Sequence, residues 1–199
     1  MPFIYYRPIL ILFAISFGYY IVRHWNRLVS FTKLKNADSE KSDQYRRKDD
    51  AMEGLRNVAL AMTPEQLGIS LPIGKTTVYG LVMDFGMSGG VATIVCYQTG
   101  DASLYISTGG GIIGGGKYES VNNASKRFIN LAQKYLDKAS KTEITSLPLS
   151  GKVIFYLLTN EGIYSGQDEI KNFENNSSLW SEMFYEGNRV LAELRMAHE

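Results

Sequence analysis

Six of the eight positions from 109 to 116 are glycine, in the run Ser107-Thr108-Gly109-Gly110-Gly111-Ile112-Ile113-Gly114-Gly115-Gly116-Lys117. Glycine reaches φ > 0 without strain and lets another backbone or a ligand come close. Main-chain N–H groups in such a run, beside a helix N-terminus, attract anions. Two phosphate-binding patterns are therefore present in outline, Gly109-x-Gly111-x-x-Gly114 and Gly111-x-x-x-x-Gly116-Lys117. The phosphate-loop pattern needs Ser or Thr after the lysine to hold Mg²⁺, and Tyr118 stands there. The dinucleotide pattern needs a parallel strand–helix–strand unit and an acidic residue on the next strand; the run VIFYLL has none. Three readings of 109–117 remain: a structural crossover, a docking loop with Ile112 and Ile113 at its tip, and an anion or nucleotide site served by Lys117.

Other constellations offer less chemistry. Asp84 at a strand end, with Glu119 and Lys117 near the glycine run, forms the one polar cluster to consider as acid, base or metal ligand, although such groups are usually solvated loop residues. Asp84-Phe85-Gly86 spells a kinase metal motif, but the catalytic loop and the ATP-lysine strand that go with it are missing from the sequence. The histidines are His24 and His198, so no histidine-assisted nucleophile or ordinary zinc site is expected in the folded region. Cys96, among apolar neighbours in mid-strand, reads as an inert core residue. The expectation is no catalytic residue, no metal and no cofactor.

The formal charge of +1 conceals an asymmetry: residues 1–50 carry nine Lys/Arg against five Asp/Glu, and residues 51–199 carry 12 against 15. The folded part is thus mildly acidic and lacks the basic stripe that nucleic-acid binding requires. The positive excess lies beside the one strongly apolar segment, where anionic lipid would attract it.

That segment is PILILFAISFGYYIV, Pro8–Val22, without a charge and flanked by Tyr5, Tyr6, Tyr19, Tyr20 and Trp25. At ~1.5 Å rise per residue, a helix from Tyr6 to Trp25 would span roughly 28 Å, near the thickness of a bilayer core. Aromatic residues at both ends suit the two interfaces. The bulky GYYIVRHW that follows is a poor cleavage site for a signal peptide, and Ile9–Ala14 lacks the polar face of a core helix. Arg23, Arg27, Lys33 and Lys35 outnumber Arg7 across the span, which predicts a single-pass anchor with the rest of the chain in the cytoplasm. Cys96 has no disulfide partner, in keeping with that side of the membrane.

The elements that must hold these residues follow from periodicity. Residues 1–29 read as the anchor, 30–50 as a charged juxtamembrane tether, and 51–199 as a single α+β domain. Met52, Leu55, Val58, Ala59 and Met62 recur at helical spacing. Thr63-Pro64-Glu65-Gln66 reads as a capped helix start closed by Gly68 and Pro72. Thr77–Phe85, Val91–Gln98 and Ala102–Ser107 are strands joined by turns short enough to require an antiparallel meander. Tyr79, Leu81, Met83 and Phe85 are expected on one face. Val121, Ala124, Phe128, Leu131, Tyr135 and Ala139 mark an amphipathic helix. Lys152–Thr159 is apolar on both faces and reads as a central strand, with Ile163-Tyr164 pairing back briefly. A last helix is expected from about Leu179 to Arg195, with Leu179, Met183, Val190, Leu191 and Leu194 inward. The sum is an antiparallel sheet packed by helices, similar in outline to profilin-like and roadblock-type folds.

The stretch from Tyr79-Gly80-Leu81-Val82-Met83-Asp84 through Ala102-Ser103-Leu104-Tyr105 to Gly109–Gly114, continuing through VIFYLLT, resembles an uncharacterised family of small bacterial proteins carrying SLYxSxGGGIIGGG. The resemblance covers roughly residues 55–195. It implies a bacterial source and a glycine run integral to the domain, and no catalytic or cofactor-binding residue comes with it. The anchor lies outside the shared region. The expectation is a membrane-tethered, non-catalytic interaction or adaptor domain, an accessory subunit of a membrane-associated assembly with a protein partner. The alternative is a nucleotide- or phosphate-binding enzyme using 109–116 with Lys117.

Overall fold

Alternating apolar residues in three successive runs give strands β1 (Val78–Met87), β2 (Gly90–Tyr97) and β3 (Ala102–Ile106). They pair antiparallel as a meander, with Asp84 opposite Thr93 and Ile94 opposite Leu104. A computed structural model describes residues 51–198 of the chain. The expected anchor and tether, including Pro8–Val22, His24 and the flanking cations, lie outside these residues. Among the described residues, no helix is long and apolar enough to cross a membrane.

The sheet is larger than the meander and central strand read from the sequence. It has seven strands in the order β4-β3-β2-β1-β6-β7-β5, all neighbours antiparallel. β4 is Gly111–Ile112, inside the glycine run, and β5 is Ser140–Thr142. β6 (Lys152–Thr159) pairs with β1 on one side and β7 (Gly162–Glu169) on the other, as its two apolar faces require. The brief return expected at Ile163-Tyr164 is a full partner strand. Its polar sequence hid it, because an outer strand need not be apolar to complete a ladder whose hydrogen bonds are main-chain.

Helices cover both faces. Residues 51–61 form α1; α2 is Glu119–Tyr135, α3 Ile170–Glu174 and α4 Ser181–Met196. Val121, Ala124, Phe128, Leu131 and Tyr135 of α2 and Met183, Val190 and Leu194 of α4 are buried against Leu81, Met83, Ile94, Cys96, Leu104, Phe155 and Leu157. On the opposite face α1 sets Met52, Ala59 and Leu60 against Tyr79, Val82, Val95, Tyr97, Tyr156 and Leu158.

Several expected positions move. The register shifts between Val78 and Gly80. Val78 therefore joins Leu81 and Met83 on the α2 face, and Tyr79 crosses to the α1 face. Its hydroxyl donates to Met62 O at 2.9 Å, and Tyr97 Oη donates to Ala59 O at 3.0 Å. The sheet thus satisfies carbonyls at the C-terminal end of α1 that a helix leaves open. Leu55 and Val58 are exposed rather than inward, since the buried stripe of α1 is Met52, Arg56, Ala59 and Leu60. Leu179 is exposed too, because α4 begins only at Ser181. Thr63–Gln66 makes the reciprocal cap, Thr63 N to Gln66 Oε1 at 2.9 Å and Gln66 N to Thr63 Oγ1 at 3.3 Å. It closes a turn and goes no further into a helix.

Candidate functional site

The glycine run leaves β3, turns through residues 107–110, and returns as β4, with Ile112 opposite Leu104 and Gly111 opposite Tyr105. Gly109 N donates to Ile106 O at 2.9 Å and Ile106 N to Gly110 O at 3.2 Å, closing the hairpin. Gly109 and Gly110 hold φ of 107° and 93°, which side chains rarely adopt. A Cβ on Gly111 would overlap the Leu104 carbonyl oxygen. Beyond β4, Gly114 has φ 74°, and Gly115–Lys117 make one 3-10 turn leading to α2. A Cβ on Gly115 would overlap the Leu194 side chain, and one on Gly116 would lie 2.8 Å from Asp101 Cα. Each glycine thus answers to a turn or to a close approach.

Two amide groups of the run are engaged by side chains. Gly116 N donates to Asp101 Oδ1 at 2.9 Å, and Gly114 N to Ser103 Oγ at 3.3 Å. The seam continues into α2. Asn122 Nδ2 donates to Thr99 O at 3.2 Å and Gly116 O at 3.3 Å, while Ser125 Oγ donates to Asp101 O at 2.9 Å. A carboxylate stands where a phosphate would have to stand, and like charge repels it. Lys117 turns away onto the Tyr118 ring, Nζ 4.9 Å from its centroid.

The isoleucine pair at the tip divides. Ile112 packs against the core, while Ile113 is 67% exposed. Beside Ile113 an open depression of about 470 Å³ is lined by Gly111, Ile112, Ile113, Arg195 and His198. Arg195 occupies the last turn of α4, where a cation suits the helix dipole. The His198 ring meets Tyr118 edge-on at 5.1 Å, with Nδ1 2.8 Å from Leu194 O. Neither residue stood out in the sequence, because only tertiary packing brings the end of α4 to the sheet edge.

Asp84 is not gathered with Glu119 and Lys117. It projects from β1 to the α1 face, fully buried, whereas the helix that Glu119 opens packs on the other face. Thr93 Oγ1 donates to Asp84 Oδ1 at 2.5 Å and Arg56 Nε to Oδ2 at 2.8 Å. Arg56 Nη2 lies 2.6 Å from Oδ2 for charge attraction but lacks hydrogen-bond alignment. The guanidinium covers the Tyr156 ring at 5.3 Å. Burial pushes the Asp84 carboxyl above its ordinary range, against the pull of Arg56 and Thr93. Arg56, on the same helical stripe as Met52 and Ala59, was the available signal for this pair. The carboxylate is sealed from solvent by Arg56, Thr93 and the layer around them.

Cys96 is buried, its thiol pushed up to about 12 chiefly by burial. Among the described residues, no group of three or more His, Cys, Asp or Glu is placed to hold a metal ion. No family model, curated protein or solved structure matches the chain.

Proposed function

We propose that this chain is a membrane-tethered, non-catalytic interaction domain, an accessory or adaptor subunit that presents the β4 edge to a protein partner on the cytoplasmic face. The observation that carries the reading is the state of the glycine run. Its Gly114 and Gly116 amides are taken by Ser103 and Asp101, and its exposed apolar side chain is Ile113. A loop built this way offers a partner an edge and an apolar contact, and offers a phosphate a carboxylate. The uncharged run Pro8–Val22 and the cations after it support the tether and its orientation.

The test extracts the full-length protein in mild detergent after cross-linking in cells and identifies what travels with it. Recovery of a defined protein by the unmodified chain, lost in Ile113→Asp and kept in Lys117→Ala, is the expected result. Orientation is read from Ser42→Cys, which should resist an impermeant thiol reagent in intact cells. A melting-temperature rise with ATP, GTP or NAD that saturates and disappears in Lys117→Ala would replace the adaptor reading with the nucleotide-binding one.

A further inference from the structure

Packing and turn geometry account for the glycines, but not for what surrounds them. β4 ends the sheet, hydrogen-bonded to β3 alone, so its outer side offers unpaired main-chain groups. Gly110 and Gly111 are exposed, and a Cβ at Gly110 would meet nothing within 4 Å, so the approach to the edge is open. Ile113 stands out beside it. The ionisable side chains lining the adjoining depression are Arg195 and His198. Arg195 is exposed and makes no ion pair among the described residues.

We infer that the β4 edge accepts an extended, acidic peptide segment of its protein partner. The segment adds as a further strand, with an apolar side chain on Ile113 and a carboxylate on Arg195. The inference deepens the interaction reading above and rests on it. Strand addition obtains affinity from the main chain and specificity from side chains. With only Gly111 and Ile112 in the ladder, the side chains must decide, and a carboxylate matches a guanidinium in charge and in its forked geometry. The β4 strand of a second copy, Gly111–Ile112, brings no carboxylate to Arg195. A bilayer surface is recognised by clusters of about 4–8 cations, more than this depression provides.

The probe is a phage-displayed library of random octapeptides, selected on the full-length protein in detergent and on its Arg195→Glu variant. Enriched peptides are then synthesised with a fluorescent label and titrated by anisotropy. The unmodified protein should enrich acidic sequences with β-branched or aromatic residues. Arg195→Glu and Ile113→Asp should each weaken binding by about tenfold or more, since both the charge and the apolar contact are lost. Raising NaCl from about 0.05 to about 0.5 M should weaken it as well. A peptide with its acidic residue changed to lysine should recover binding to Arg195→Glu alone. Thermal melts establish that the variants are folded, and His198→Ala with Arg195→Gln provides a gentler pair if either is not. Absence of acidic enrichment, or affinity indifferent to Arg195 and Ile113, overturns the inference. Peptides that bind indifferently to both overturn the inference and leave an interaction domain with its surface elsewhere, whereas failure of the unmodified chain to recover a defined protein in cells would remove the broader reading.

Discussion

Arg56 of α1 and Asp84 of β1 form a buried ion pair, 2% and 0% exposed, with Nη2 2.6 Å from Oδ2. The contact joins α1 to a strand in the middle of the sheet, within a layer whose other members are mostly apolar. Removing one member strands a charge away from water, which costs about 3–5 kcal/mol, whereas replacing both with apolar groups is often neutral. Arg56→Met should therefore destabilise the domain by about 3 kcal/mol, and Arg56→Met with Asp84→Leu should recover most of that loss. Urea unfolding of the four combinations measures it; equal losses in the single and double variants would refute the account.

A fragment beginning at Ser42 should fold cooperatively without residues 1–41, because α1, α2 and α4 already cover the two sheet faces with apolar stripes. Coincident unfolding transitions by circular dichroism and by fluorescence are the expected result. Dependence on detergent would show that the α1 face needs a further cover.

Cys96 ties stability to alkaline pH. Burial raises its thiol to about 12, and burial likewise raises the Tyr79, Tyr97, Tyr105 and Tyr156 hydroxyls. Groups raised in the folded state contribute fully below their unfolded values, about 8.5 for a thiol and about 10 for tyrosine. Above those values the unfolded chain ionises first, and stability is lost as pH rises. The melting temperature should hold steady near neutrality and fall progressively above pH of about 8.5. Ellman's reagent should find no reactive thiol in the native protein and one in urea.

Gly166 on β7 gives its missing side chain to Trp180, whose indole a Cβ would overlap. Trp180 in turn stacks on Phe155 at 5.5 Å and 18°. Gly166→Ala should displace the indole and cost about 1–3 kcal/mol through overpacking. In a fragment lacking Trp25, a red-shifted emission from Trp180 reports it directly.

The glycine run should separate by function. Gly111→Ala meets the Leu104 carbonyl and should lower stability, and Gly110→Val should cost about 1–2 kcal/mol for its φ alone. Ile113→Asp should leave the melting temperature nearly unchanged while weakening partner binding. Ile112→Asp should destabilise the fold, since Ile112 packs against the core. Identical behaviour of the two isoleucine variants would contradict the division between them.

Local patterns determined a large part of this domain. Apolar alternation in β1, β2, β3 and β6 and the stripe of α2 are legible because their burial is periodic along the chain. Short connections dictate the antiparallel meander. β4, β5 and the length of β7 were not legible, because a two- or three-residue edge strand, or a polar one, is formed by main-chain hydrogen bonds to a neighbour distant in sequence. The same reason governs the site. The glycines advertised an unusual backbone, but the Gly116 and Gly114 amides answer to Asp101 and Ser103, and Arg195 and His198 beside Ile113 come from the far end of the chain. Asp84 was recognisable as a carboxylate at a strand; only the packing of α1 supplied Arg56 and sealed the pair, since burial and charge pairing are properties of neighbours in space.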